Sequence, residues 1–139
     1  MYSFGHGSFG RLGHGNHENQ WLPKLIAALR SKRVVQVSAG GFHSLVLLEG
    51  GEVYSFGYGR EGQLGHGDEE NQSLPKLIAA LQGKEVVQVP AGVRHGLALL
   101  QGGEVYSCGD GYYGPLGHGD QENQLLPKLI AALQGKEVV

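Results

Sequence analysis

Three stretches of the chain carry the Gly-x-Gly-x-x-Gly spacing that can cradle a pyrophosphate: Gly5-Gly7-Gly10, Gly57-Gly59-Gly62 and Gly109-Gly111-Gly114. Dinucleotide chemistry needs a helix directly after those glycines, inside a βαβ unit. Here Leu-Gly-His-Gly follows each time, and more glycine disfavours a helix. The glycines are expected in loops that need positive φ or close backbone approach. Of the seven histidines, His14, His66 and His118 lie 52 residues apart in identical turns. They should fan out on separate units instead of converging to the roughly 2 Å ligand distances of zinc. His43 and His95 follow a glycine turn and are expected to hydrogen-bond a neighbouring backbone group. Cys108 stands where the other copies have Phe4 and Phe56, so a buried, inert thiol is expected. No Ser/His/Asp or paired-carboxylate constellation stands apart from the repetition, so no catalytic residue, cofactor or metal site is expected. Asn71-Gln72-Ser73 matches a glycosylation acceptor, but no secretory signal accompanies it.

The elements that must position these residues come from a period of 52. Tyr2-Ser3-Phe4-Gly5 (with Cys108 for the phenylalanine in its last copy), Leu12-Gly13-His14-Gly15 and Leu22-Pro23-Lys24-Leu25-Ile26 each recur twice at that offset, and residues 34–85 and 86–137 share 39 of 52 positions. Each copy reads as four strands, at 34–37, 43–48, 52–56 and 74–78 in the second copy. Glu49-Gly50-Gly51 makes a short hairpin turn, because consecutive glycines supply the required φ. A long glycine-rich loop spans 57–73, and a return spans 79–85. A short helix over 75–81, with Pro75 in its first turn and Gly83 as its stop, is the alternative for the last element. Four antiparallel strands per repeat is the unit of a propeller blade. The fold expected is all-β, a partial β-propeller of such blades. Its divisions are a partial repeat at 1–33, complete repeats at 34–85 and 86–137, and the start of another at 138–139.

The 25 glycines exclude a helical bundle, and no Gly-X-Y period suggests collagen. A net charge of −2 offers no broad attraction to nucleic acid or anionic membrane. No apolar run is long enough for a transmembrane helix, and the first ten residues lack the pattern of a signal peptide. Cys108 is the only cysteine, which suits a reducing compartment. The expected location is cytoplasmic or nuclear.

The succession Ala39-Gly40-x-x-His43-Ser44-Leu45, Gly51-Glu52-Val53-Tyr54-Ser55-Phe56-Gly57, Gly62-Gln63-Leu64-Gly65-His66-Gly67 and Pro75 closely resembles the RCC1 repeat, over essentially the whole chain. The resemblance implies a propeller that closes with seven repeats and serves as a docking platform. Such platforms occur in guanine-nucleotide exchange factors for a small GTPase, HERC-type ubiquitin ligases, a plant ultraviolet photoreceptor and scaffold proteins. The family usually has tryptophan at the positions of Phe4, Phe56 and Cys108. A light-sensing role depends on clustered tryptophans, and Trp21 is the only one here. Met1 falls at the position of Val53, and Val139 at that of Val35. A fragment of a larger propeller is therefore expected, with self-association through open blade edges. The competing reading is a small protein whose ends pair with each other or with another copy.

Positions that differ between copies are free of the duty of maintaining the shared fold. They cluster in two windows. In the turn before the second strand, Gly41-Phe42 becomes Val93-Arg94. In the loop after the third strand, His6, Ser8, Phe9 and Arg11 become Tyr58, Arg60, Glu61 and Gln63, then Asp110, Tyr112, Tyr113 and Pro115. A meander puts both windows on one face, rich in the residue types that anchor interfaces. Drift in solvated loops is the bland alternative. The functional expectation is a protein-binding module. Its contact residues are Phe42, Tyr58, Arg60, Glu61, Arg94, Asp110, Tyr112 and Tyr113, and its partner is a protein such as a small GTPase. The alternative is an enzyme with a site in the propeller channel.

Overall fold

The computed structural model describes residues 1–138; Val139, the second residue of the further repeat expected at 138–139, lies outside the described residues. Ten strands form three antiparallel sheets. The strands β1 (Tyr2–Gly5) and β2 (Gln20–Leu25) pair as the first. The second is a meander of β3 (Val34–Ala39), β4 (His43–Leu48), β5 (Val53–Gly57) and β6 (Gln72–Leu77). The third is the same meander shifted by one period: β7 (Val86–Gln88), β8 (His95–Leu100), β9 (Val105–Gly109) and β10 (Gln124–Leu129). The registers repeat too, His43 opposite Gly57 and His95 opposite Gly109. These are the blades of a partial β-propeller. Among the described residues no helix is long and apolar enough to cross a membrane.

The 75–81 helix alternative is corrected. Pro75 lies inside β6, an edge strand, where its missing N–H costs no ladder bond. Only Ala79–Leu81 forms a single 3₁₀ turn. One other departure has a local cause. Where β3 runs six residues, β7 stops after three, because Ser38 is replaced by Pro90 at the equivalent position and proline cannot donate to the ladder.

The core lies between the blades. Strand β4 is buried on both faces, so it reads as a continuous apolar run. Its Val46 and Leu48 pack toward the first sheet with Ile26, Leu29 and Phe56. Its Leu45 and Leu47 pack toward the third sheet with Val86, Val89, Ala98 and Leu100. Two side chains of β3 reinforce that seam: Gln36 Oε1 and Ser38 Oγ accept from the backbone N–H groups of Val89 and Ala91 at 3.1 and 2.9 Å. On the far side of the blades, Lys32 and Lys84 sit over the rings of Tyr54 and Tyr106 at 5.2 and 5.0 Å, each one sheet along the chain.

The long loop after the third strand of each blade is held by a serine latch. The Ser55 hydroxyl donates to the Leu64 carbonyl at 2.7 Å and meets His66 Nε2 at 2.8 Å. Ser3 does the same with Leu12 and His14, and Ser107 with Leu116 and His118. Because the hydroxyl proton goes to the carbonyl, the imidazole is the donor, which fixes the Nε2–H tautomer. Latched, the loop reaches the next blade, where Gly15 and Gly67 donate to the Ser73 and Leu125 carbonyls, both at 2.9 Å. Gly62 has φ +82°, and a Cβ there would stand 2.7 Å from the Gln124 carbonyl oxygen. Only glycine lets the seam close at that point. Ser55 is fully buried, so Ser55→Ala leaves the Leu64 carbonyl and the His66 N–H unpaired. It should cost about 1–3 kcal/mol, read as a lower denaturation midpoint at unchanged m, with a smaller loss for the half-buried Ser3→Ala.

Candidate protein-interaction face

The turn before the second strand and the loop after the third are tied together in each blade. Tyr58 N–H donates to the Phe42 carbonyl at 2.9 Å, and Asp110 N–H to the Arg94 carbonyl at 3.0 Å. Both variable windows therefore share one face. The rings of Phe42 and Tyr58 sit 6.2 Å apart on it, centre to centre.

Phe9, from the preceding blade, completes a cluster. Its ring lies 4.9 Å from Tyr58 and 5.9 Å from Phe42, both edge-on. Phe9 holds φ at +63°, the only non-glycine residue with positive φ among the described residues. That is a strained conformation for a bulky side chain. Behind the rings, the Arg11 guanidinium sits 5.1 Å from the centre of Phe42 and 5.8 Å from that of Phe9. Its Nη1 donates to the Gly41 carbonyl and its Nε to the Ser8 carbonyl. Beside the cluster, Arg94 Nη1 bonds Glu61 Oε1 at 3.2 Å. Phe9, Phe42, Tyr58, Glu61 and Arg94 line a cleft of about 180 Å³.

Four of the eight expected contact residues meet at this cleft. The others do not join its walls. Arg60 is exposed. Tyr112 and Tyr113 pack on each other at 4.7 Å and stay exposed. Asp110 Oδ1 accepts from Tyr112 N–H. Phe9 and Arg11 belong to the site and were missing from the expected set. Their signal was present, since both occupy positions that vary between copies. Gln63 varies as well, yet it is fully buried and its Oε1 accepts from Glu61 N–H.

The variation has a structural side. Phe9 and Glu61 are equivalent positions, and so are Phe42 and Arg94. The seam position filled by an aromatic pair between the first two blades is thus filled by an ion pair between the second and third. The Arg94 and Glu61 side chains are 54% and 22% exposed, so the pair is partly desolvated. A double-mutant cycle on Glu61→Ala and Arg94→Ala should return a coupling of about 0.5–1 kcal/mol in unfolding free energy. Arg33–Glu49, an exposed pair on the opposite face, should return less.

The buried groups here are structural. His43 is almost fully buried; neither ring nitrogen makes a hydrogen bond of good geometry among the described residues, and the backbone of His95 in the neighbouring blade is the polar group that acts on the ring. Burial pushes its pKa down to about 4, against a smaller upward pull from the His95 backbone. His66 is also lowered to about 4, by burial and then by Lys76. The Cys108 thiol is buried and pushed up to about 12, so it stays protonated and unreactive. Among the described residues no three His, Cys, Asp or Glu side chains gather as a metal site would require. The three glycine motifs form loops braced by asparagine: Gly7, Gly59 and Gly111 donate to the side-chain oxygens of Asn19, Asn71 and Asn123.

Family models of the regulator of chromosome condensation (RCC1) repeat match residues 1–47, 50–99 and 102–139. The chain belongs to the RCC1 repeat family. It is 44% identical over its whole length to the human E3 ubiquitin-protein ligase HERC2, of which it spans 3%. It is 40% identical to the ultraviolet-B receptor UVR8 of Arabidopsis thaliana, spanning 31% of it. Among solved structures, Prp20p of Saccharomyces cerevisiae, described with its binding to Gsp1p and histones, superposes with a TM-score of 0.79 at 29% identity. That match covers 92% of this chain and 33% of Prp20p. Human WBSCR16 gives 0.76 at 31% identity, over 92% of this chain and 34% of its own. The matches begin near each hairpin that precedes the third strand, whereas each four-stranded sheet begins at the first strand. An RCC1 repeat thus bridges two blades of the propeller.

Both histidine values lie below the ordinary 6.5. Between about 4 and 6.5 the unfolded chain binds protons that the folded chain refuses, so stability is complete above 6.5 and falls as pH drops toward 4. His43 alone should account for about 3 kcal/mol across that window. Denaturation at pH 7, 6 and 5 should show the decline, and His43→Leu should make it shallower, leaving the share that His66 contributes. The His43 ring resonances should remain those of a neutral imidazole at pH 5.5.

Proposed function

We propose that these blades form a protein-docking surface and that the partner meets the variable face, through the Phe9–Phe42–Tyr58 cluster and its Arg94 rim. The observation that carries this reading is the cleft itself, which repeat-unique residues from three blades line together. Fitting of the seam accounts for the contact of Phe9 with Phe42, but the rings of Phe9, Phe42 and Tyr58 stay only half-buried and line an open cleft. Aromatic and arginine side chains bring large contact area and directional donors, the usual anchors of an interface. The exposed Arg60 widens the surface on the same loop, and the Tyr112–Tyr113 pair extends it along the next. Binding is favoured over catalysis because the perturbed groups are taken up elsewhere, His43 and Cys108 by burial and His14, His66 and His118 by the serine latches, and none of them lines the cleft. Prp20p and its binding to Gsp1p make a small GTPase the first partner to try, within an exchange-factor or HERC-type parent.

The test uses the full-length parent and its partner, with alanine replacements on both faces. Phe42→Ala or Tyr58→Ala should weaken binding by about 2 kcal/mol, while Glu49→Ala on the opposite face leaves it unchanged, both by calorimetry. If the costly positions fall on the opposite face, this reading fails.

A further inference from the structure

We infer that the cleft receives an acidic segment of the partner protein, with one apolar side chain seated among the three rings and a neighbouring carboxylate on Arg94. This rests on the docking reading above and adds the chemistry of the partner. The cleft holds about 180 Å³, below the roughly 300 Å³ of the smallest drug-sized pockets, so it suits a single side chain. Its floor is built in advance, because Phe9, Phe42 and Tyr58 brace one another edge-on and Arg11 supports two of them from behind.

The charge of the surroundings selects the neighbour. The chain carries a net −2 and the loops of the variable face also hold Glu18, Glu70 and Glu122, but the charged groups at the cleft itself are Arg94 and the supporting Arg11 against Glu61. None of the lysines is on that face: they occupy repeated positions, 24, 76 and 128 on the edge strands and 32, 84 and 136 in the returns. Arg94 spends one nitrogen on Glu61, and its side chain is 54% exposed. Its remaining donors are free to grip a carboxylate in the forked geometry that guanidinium favours. A basic segment has no equivalent foothold. The unpaired Glu61 Oε2 exposes almost no surface, and the cation that the ring faces attract is already supplied by Arg11.

The test titrates the 139-residue chain with three amidated pentapeptides, Gly-Asp-Leu-Asp-Gly, Gly-Asn-Leu-Asn-Gly and Gly-Lys-Leu-Lys-Gly, followed by NMR shifts of the Tyr58, Glu61 and Arg94 amides. The acidic peptide should bind at least fivefold more tightly than the lysine peptide, and lose that advantage as salt screens the pair. Arg94→Ala should abolish the preference, Arg94→Lys should keep part of it, and Glu49→Gln on the opposite face should leave it intact. Unshifted amide spectra away from the cleft establish that each variant is folded. Preference for the lysine peptide, equal binding of all three, no binding at millimolar peptide, or loss of binding in Glu49→Gln overturns the inference. The docking reading would still stand or fall separately, on the alanine series with the intact partner.

Discussion

The structure depends on closing one blade's loop against the next blade. The serine latch turns a long glycine-rich loop into a fixed wedge, and the wedge's backbone N–H groups bond the outer strand of the following sheet. Ser55, Leu64 and His66 do this within one blade, and Gly67 with Leu125 carries it across the seam. A blade by itself has two apolar faces and cannot bury either. Strand β4 shows this most clearly, because Leu45 and Val46 serve different seams. Stability is thus shared between neighbours, as in other repeat architectures.

The same seam explains why divergence between copies is not a simple guide to binding. Phe9 against Phe42 and Glu61 against Arg94 are two chemical solutions to one contact, so part of the variation is neighbour fitting to neighbour. A second part reaches solvent: the exposed half of Arg94, the free Arg60 and the cleft in front of the rings. Fitted seam and exposed cleft share side chains, which gives the site rigidity. Phe9 in a left-handed conformation is the visible strain of that arrangement.

Much of the fold was legible from the repetition. The hairpin glycines, the alternation of strands and the meander order all follow from local rules, and their repetition removes accidental readings. The choice between strand and helix at Pro75 was not legible, because proline suits both a first helical turn and an edge strand, and the sheet settles which. The surroundings of His43 were not legible for a related reason. A polar side chain at the start of a strand usually finds its backbone partner nearby, whereas the backbone that acts on His43 is that of His95, 52 residues on in the blade that encloses the ring.

The sequence by itself determined the period, the four-stranded unit, the family and the face on which variation collects, because each depends on residue type and spacing along the chain. The tertiary structure alone decided which variable residues meet. Phe9 and Phe42 lie 33 residues apart and on different blades, as do Glu61 and Arg94. Their distances are set by how far each wedge enters the next sheet, a property of packing between blades that the order of residues within one repeat does not encode.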